Sequence, residues 1–139
     1  ALLDSRKSIN FAKTISVPVL GVVENMSGYT LRGTSTPNSN ISVMGPGGVP
    51  IESESDEEGK WEITLDVFKS GGGEESSKEM EVPFLGALPF DPGIVRGGDD
   101  GVHRIIADPE GETARAFESI VKKVQEQLDK GSQRTLRII

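Results

Sequence analysis

The stretch that decides the fold is residues 17–25, VPVLGVVEN, together with its near repeat at residues 82–90, VPFLGALPF. Both are almost continuous apolar runs, without the alternation of a strand that has one wet face. Strands of this kind are covered on both faces, as they are in parallel sheets. Residues 2–14 before the first run have the pattern of an amphipathic helix. A helix followed by a buried strand is the order of an α/β fold.

The segment between these two strands has a different character. Residues 30–60 are rich in turn formers and in charge. In residues 61–67, WEITLDV, apolar and polar side chains alternate strictly, which predicts a strand with one packed and one exposed face. We expect residues 40–67 to form an antiparallel hairpin or small ribbon with Gly45–Gly48 in its turn.

Three further elements are predicted after the hairpin. The glycine loop Gly71–Gly73 opens a short helix, and residues 91–101 form a loop or a single turn. A final helix is predicted with Asp108 as its cap and Pro109 in the first helical position. Gly131 is expected to end that helix.

The composition excludes several classes of function. The 139 residues are enough for one domain, and 22 acidic against 15 basic residues give a formal charge of −7. No basic stripe is present, so neither nucleic acid nor an anionic membrane is an expected partner. The chain has no cysteine, which excludes disulfides and thiolate ligands of its own for zinc or an iron–sulfur cluster. We expect a soluble, cytoplasmic protein, because no apolar run is long enough to span a bilayer.

Polar and aromatic residues stand where the two buried strands end. The first strand ends in Asn25, and the second ends in Pro89 and Phe90, with Asp91 directly after it. In open α/β sheets the ligand crevice lies beyond the carboxyl ends of the strands. The Asn25 carboxamide could pair with the edge of a purine base while the ring of Phe90 packs on its face. From the spacing alone, the alternative is that Asn25 and Asp91 only shape turns.

Four pieces of the chain together resemble a known family. The pieces are ALLDSRKSINFAK (1–13), VPVLGVVENMSGY (17–29), FKSGGGEESSKEMEVPFLGALPFDPGIVRGGDDG (68–101) and DPEGETARAFESIVKKV (108–124). They resemble the C-terminal half of the Mrp/ApbC family. The family consists of P-loop ATPases of the deviant Walker type, related to MinD and the nitrogenase iron protein, which act as carriers or scaffolds in iron–sulfur cluster assembly. The resemblance implies part of a parallel P-loop NTPase sheet flanked by helices, with an antiparallel β-hairpin inserted.

The resemblance also implies a nucleotide site. Asn25 would contact the adenine base, and Pro89, Phe90 and Asp91 would line the same pocket. The implied ligand is ATP, with Mg²⁺ in the full-length protein. The family's phosphate-binding loop, catalytic lysines and magnesium ligands belong to its N-terminal half, and no G-x-x-x-x-G-K-[ST] occurs here. This chain alone is therefore expected to be inactive as an ATPase, with no catalytic or metal-binding residue of its own.

The resemblance does not extend to the cluster ligands. The family usually continues from ENMSGF into Cys-Pro-x-Cys, and those two positions fall on Leu31 and Thr34, whose side chains cannot ligate iron. Residues 35–66 stand where the family has only a short link. We therefore predict one domain over residues 1–139 with a β-ribbon inserted at about residues 31–67. That ribbon could bind a partner, cap a dimer surface, or be a surface insertion that the fold tolerates.

These features lead to two predicted functions. The leading prediction is the C-terminal part of an ATP-binding iron–sulfur cluster carrier or assembly ATPase, which supplies the adenine pocket and a dimer surface. Its partners would be ATP, a second copy or the N-terminal half, and iron–sulfur recipient proteins. The alternative is a non-catalytic protein-interaction module derived from that family. Because the chain starts at Ala1 with a helix already under way, we expect the natural protein to extend further toward its N-terminus.

Overall fold

The computed structural model describes the backbone of residues 2–136 and the side chains of residues 3–131. We name residues 29–65 the ribbon and the other described residues the body. The helices are α1 (Leu2–Thr14), α2 (Gly72–Glu79), α3 (Pro92–Asp100), α4 (Arg104–Ala107) and α5 (Glu112–Leu136). The strands are β1 (Val22–Asn25), β2 (Tyr29–Thr34), β3 (Asn40–Met44), β4 (Pro50–Glu54), β5 (Lys60–Leu65) and β6 (Phe84–Leu88).

The body is built around a parallel sheet of β1 and β6. Helix α2 packs on both strands, and α5 packs on β6. Glu24 of β1 faces Gly73 of α2, whereas Gly86 of β6 faces Ile120 of α5. Glu24 lies beside Ala87 in the sheet, and successive strand residues point to opposite sides, so the two helices cover opposite faces. The predicted α/β fold, with a parallel sheet flanked by helices, is confirmed.

The two parallel strands are shorter than predicted. They span 4 residues in β1 and 5 in β6. Along β1 half-buried and exposed residues alternate, and Val23 is 41% exposed. Helix α5 packs on β6 and leaves Val23 uncovered on the same face. The prediction that the first strand is covered on both faces is therefore wrong for the part of the chain that the structure describes.

The ribbon is one antiparallel pairing in a single register. β2 pairs with β5, and β3 pairs with β4. Backbone hydrogen bonds that join Ser35 to Gly59 and Ser39 to Ser55 continue the same register across the junction. The turn between β3 and β4 lies at Pro46–Gly48, as predicted. Strand β2, the partner of β5, was not predicted, because the turn formers of this segment obscure it in the sequence.

Gly33 allows β2 and β5 to pair closely. It lies opposite Trp61, and a Cβ atom on Gly33 would collide with the indole ring. The indole ring can lie across β2 because this position has no side chain. Two residues further along β5 on the same face, Ile63 is 3% exposed. The predicted alternation of a packed and a wet face is therefore confirmed for β5.

The ribbon folds back on itself at the junction between its two ladders. The Asp56 N–H donates to the Lys60 carbonyl. This tight turn brings β4 beside β5, where the Ser53 hydroxyl donates to the Glu62 carbonyl at 3.2 Å. The body and the ribbon are thus held by different means, the body by helices on a sheet and the ribbon by its own turns.

Two Asp-Pro pairs have the opposite roles to those predicted. Asp91 caps α3, since its Oδ1 accepts from the Gly93 N–H at 2.8 Å and Pro92 lies in the first turn. Residues 91–101, predicted as a loop or a single turn, contain this 9-residue helix. The helix ends at Gly101, whose left-handed backbone (φ 68°) is the usual helix stop.

Asp108, in contrast, ends a helix instead of starting one. Its N–H donates to the Arg104 carbonyl, and its carboxylate accepts from the Arg104 guanidinium. Helix α5 therefore begins only at Glu112, and it continues past Gly131 to Leu136. Both predicted limits of the last helix are wrong.

Candidate functional site

A cavity of about 330 Å³ opens where the ribbon meets the body. The body contributes the residues that follow β6 and the first turn of α5. The ribbon contributes Tyr29, Thr30 and Arg32 of β2 and Glu62 of β5. Because the cavity lies at the carboxyl end of a parallel strand, it occupies the place where open α/β sheets bind ligands.

Three of the four residues predicted for a ligand site line this cavity. Pro89, Phe90 and Asp91 do so, and Asn25 is not among the lining residues. Asn25 reaches the same edge of the sheet, because it is the register partner of Leu88. Its side chain is exposed, and its Oδ1 accepts from the N–H of the next residue at 3.0 Å. A role of these four residues in nucleotide binding stays a prediction.

Hydrogen bonds beyond the sheet join the two strand ends. The N–H and hydroxyl of Ser27 both donate to the Leu88 carbonyl, at 2.9 and 3.0 Å. The Phe90 N–H donates to the Gly28 carbonyl at 2.7 Å. The segment after β1 and the segment after β6 therefore form one structural unit.

Phe90 joins the ribbon to the body. Its ring contacts Tyr29 and Phe68 edge to face, each with the ring centroids 5.7 Å apart. Tyr29 begins β2, and Phe68 lies shortly after the end of β5, so the first residue of the ribbon and the segment that follows the ribbon pack on the same ring. The aromatic contact fixes one wall of the cavity.

Asp91 joins three helices through a single carboxylate. Besides capping α3, it accepts through Oδ2 from the Arg104 Nε and from the Thr113 hydroxyl, each at 2.6 Å. Burial of the side chain, which is 15% exposed, would raise the pKa of Asp91. The hydrogen bonds from Thr113, Arg104 and the Gly93 N–H outweigh that effect and lower the pKa. Asp91 is thus an ionised anchor whose oxygens are already shared among donors of the chain.

The ribbon is tied to α5 by charge. Arg32 donates from Nε to Glu62 at 2.7 Å and from Nη2 to Glu112 at 2.9 Å. The hydrogen bond to Glu112 raises the pKa of Arg32. Thr30 also donates to Glu112, at 3.4 Å. Arg32 and Arg104 therefore enter the cavity wall with carboxylate partners, and neither is a free site for an anion.

The triple glycine binds a carboxylate of the chain itself. The N–H groups of Gly71 and Gly73 donate to the two oxygens of Glu24, at 2.8 and 3.1 Å. Backbone N–H groups at a helix start are suited to an anion, and here the anion is Glu24 of β1. The role of the glycines is the close approach of α2 to the sheet.

Most of the cavity wall was not predicted from the sequence, including five residues that make the contacts described above. They carry no motif, and their positions depend on contacts between segments far apart in the chain. Tyr29, Glu112 and Thr113 lie within two of the four family-like pieces, which was the only signal that could have drawn attention to them. The five residues are Tyr29, Arg32, Arg104, Glu112 and Thr113.

The two positions at which the resemblance implies cluster cysteines lie within the ribbon. Leu31 pairs with Ile63, and Thr34 pairs with Lys60, in the β2–β5 ladder. Within residues 3–131 the structure contains no group of three or more histidine, aspartate or glutamate side chains that could hold a metal ion. No helix in the described part is long and apolar enough to cross a membrane.

Comparison with known proteins agrees with these observations. The ParA family profile, described as NUBPL iron-transfer P-loop NTPase, matches residues 56–125, half of the chain. The chain is 34% identical to the iron-sulfur cluster carrier protein of Synechocystis sp. over 124 residues, which cover 89% of the chain and 28% of that protein. It is 30% identical to the iron-sulfur cluster carrier protein of Methanocaldococcus jannaschii over 93% of the chain and 34% of the relative.

A third relative is the cytosolic Fe-S cluster assembly factor NUBP2 homolog of Trichoplax adhaerens, 34% identical over 88% of the chain and 36% of the relative. The chain thus spans about a third of the length of these curated relatives. With the family profile and the fold in agreement, the chain belongs to the ParA family of iron-transfer P-loop NTPases of the NUBPL type.

Proposed function

We propose that this chain is the C-terminal part of an ATP-binding carrier or assembly ATPase for iron–sulfur clusters, located in the cytoplasm. It would supply the base side of the nucleotide pocket and a dimer surface. The observation that carries the proposal is the cavity at the carboxyl end of β6, lined by Pro89, Phe90 and Asp91. The names of the relatives, which are cluster carriers and a cytosolic assembly factor, support the same role.

An apolar surface on the body supports a missing N-terminal half. Leu3 and Phe11 of α1 are 64% and 66% exposed, and Ile15 and Val17, which follow that helix, are 53% and 50% exposed. Several large apolar side chains exposed on one short segment favour an interaction surface there. The N-terminal half of the longer protein, or a second copy, is the proposed occupant.

Each residue of the pocket has a different part in this proposal. Pro89 and Phe90 pack on the base, and Asn25 pairs with its edge once its side chain turns away from the neighbouring backbone. Asp91 holds α3, α4 and α5 around the pocket, because its oxygens already have three donors. The phosphate-binding loop and the Mg²⁺ ligands would come from the N-terminal half, so this chain organises no phosphoryl transfer by itself.

The residues at the cluster positions do not fit a cluster. An iron–sulfur cluster in this family would need thiolates where Leu31 and Thr34 lie, and the chain has no cysteine. These two residues would therefore not hold a cluster. Any cluster would be cargo held elsewhere in the longer protein or its partner.

The test is an ATP titration of the longer polypeptide of which we propose this chain to be a part. Phe90→Ala should weaken ATP binding about tenfold, since stacking on a base is worth about 1–3 kcal/mol. Phe68→Ala is the matched control, because Phe68 contacts the same ring but does not line the cavity. Equal affinities for the two variants would contradict the pocket. Unchanged affinity in Asn25→Ala would contradict base recognition by that residue.

A second candidate function is a non-catalytic protein-interaction module. It is favoured by one specific observation, namely that the positions of the cluster cysteines lie in an ordered strand of the ribbon. Deleting residues 35–59, the distal part of the ribbon, should then abolish a partner interaction and leave nucleotide binding unchanged.

A further inference from the structure

We propose that the outer edge of β3 is a docking site for a basic protein segment in extended conformation. This inference rests on the second proposed function and does not depend on nucleotide binding. Three features of the ribbon carry it: the direction of the backbone groups of β3, the charge beside them, and the rigidity of the support.

The backbone groups of three β3 residues point away from β4. Along an antiparallel ladder, hydrogen-bonded residue pairs alternate with pairs that are not hydrogen-bonded. The hydrogen bonds at both ends of the β3–β4 ladder show which of its pairs are the bonded ones. The N–H and C=O groups of Asn40, Ser42 and Met44 therefore face outward. In the described part of the chain, β3 forms a ladder with β4 alone. Such a row of groups is the template on which an added strand pairs.

β3 lacks the features that usually protect a sheet edge. Its sequence, NISVM, contains no charge and no proline. β4 carries Pro50, Glu52 and Glu54, and β2 carries Arg32, which is tied to Glu112 of α5. Within the ribbon, β3 is thus the strand whose edge carries neither a charge nor a proline that would hinder an added strand.

The charge beside this edge selects the partner. Residues 35–59 contain five acidic residues and no lysine, arginine or histidine, and one of the five, Glu58, pairs with Lys60 directly after this segment. One of them, Glu52, reaches across to β3, where its carboxylate accepts from the Ser42 hydroxyl at 2.6 Å. A second copy of the ribbon would bring like charges together, whereas a segment rich in lysine or arginine complements them. The occupant we propose is therefore a basic segment of another protein.

The support under the edge is fixed before any partner binds. Three hydroxyl groups, those of Ser35, Ser39 and Ser55, donate to the Thr36 carbonyl at 3.2, 2.6 and 2.7 Å. Ser55 is 2% exposed, so these bonds hold the bend of the ribbon from inside. A preformed edge loses less conformational entropy on binding than a flexible one does.

The experiment uses the 139-residue chain and an alternating valine–lysine octapeptide with blocked ends. The control peptide has the same charge, with proline in place of two valines so that it cannot pair as a strand. We expect only the alternating peptide to slow hydrogen exchange of the Ser42 amide. Its affinity should fall with rising salt, because the Debye length shortens to about 8 Å at physiological ionic strength.

Two variants separate edge pairing from simple charge attraction. Ser42→Pro removes an outward N–H and should weaken the alternating peptide about tenfold, whereas Ser42→Ala keeps that N–H and should bind within about twofold of the parent. Glu52→Gln with Glu54→Gln should weaken binding about threefold at low salt. The matched control is Glu118→Gln with Glu126→Gln on α5. It changes the net charge by the same amount and should leave peptide binding unchanged. Trp61 fluorescence checks that each ribbon remains folded.

Three results would overturn the proposal. Equal binding of the two peptides would show attraction to charge alone, and unchanged binding by folded Ser42→Pro would show that the edge is not used. Self-association of the chain through β3 would identify a second copy as the occupant. None of these measurements involves ATP. A failure of the docking proposal can therefore be distinguished from a failure of the nucleotide-binding proposal.

Discussion

The body and the ribbon are both built on paired strands, yet they are stabilised in different ways. In the body, helices pack on both faces of the sheet, and the order of elements follows a pattern visible in the sequence. In the ribbon, a single register and a set of hydroxyl contacts hold the strands, with a packed core around Ile63 and Trp61. Because the two regions are stabilised by different contacts, we expect that a change in one of them can leave the other intact.

The largest expected effects come from removing one core side chain in each region. Leu85→Ala in β6 and Ile63→Ala in β5 delete side chains that are 5% and 3% exposed. Each should lower the free energy of unfolding by about 2–5 kcal/mol. We expect Leu85→Ala to shift the helical circular dichroism transition most and Ile63→Ala to shift the Trp61 fluorescence transition most. Identical shifts of both probes in both variants would show that body and ribbon share one core.

A smaller effect is expected at the anchor of the body. Asp91→Ala removes a helix cap and two further hydrogen bonds, and we expect a loss of about 2–3 kcal/mol in urea unfolding. Asp108→Ala is the control, since Asp108 binds the same Arg104 but is 42% exposed, and it should cost less than about 1 kcal/mol. Equal losses would show that the pairing with Arg104 alone matters.

The same anchor predicts a pH dependence. The pKa of Asp91 is lowered in the folded protein, so its stabilising contribution is complete above the unfolded value of about 3.9. The contribution is lost as the pH falls from there through the folded pKa. Asp91→Asn should therefore flatten the decline of unfolding free energy below about pH 4. An unchanged decline would mean that other carboxylates cause it.

The two Asp-Pro pairs show how far the sequence could predict this structure. Asp91-Pro92 and Asp108-Pro109 carry the same local cap signal, and only the first caps a helix. Asp91 also accepts from Thr113, which is distant from it in the sequence, and a contact of this kind is not visible in a local pattern. The positions of β1, β6 and the period-two strand β5 were predictable because their patterns are local, although the burial of β1 was not. The pairing of β5 with β2 was not, because it depends on residues far apart in the chain.

The candidate site likewise contains residues whose placement could be predicted from the sequence and residues whose placement could not. The placement of Pro89, Phe90 and Asp91 at the carboxyl end of a parallel strand followed from the topology of α/β sheets. The ribbon wall with Tyr29 and Arg32 could not be predicted, because no rule of local structure says where an inserted ribbon packs.

The smallest effect is expected at the charged link between the two regions. A double-mutant cycle of Arg32→Ala and Glu112→Ala should give a coupling energy of about 0.5 kcal/mol, since both side chains are partly exposed. The coupling should decrease as salt is added. A coupling well above 1 kcal/mol would mean that ribbon and body act as one unit.

The division of roles between body and ribbon is tested most directly by an ATP titration of the longer polypeptide after the distal ribbon is removed. Thr34 and Lys60 are register partners, so an Asn-Gly turn can replace residues 35–59 and leave the β2–β5 ladder beside the cavity. If the nucleotide pocket is formed by the body and the β2–β5 ladder, the ATP affinity of the deletion variant should stay within about twofold of the parent. That change is far below the tenfold that about 1.4 kcal/mol represents. A loss of ATP binding in the folded deletion variant would contradict this division.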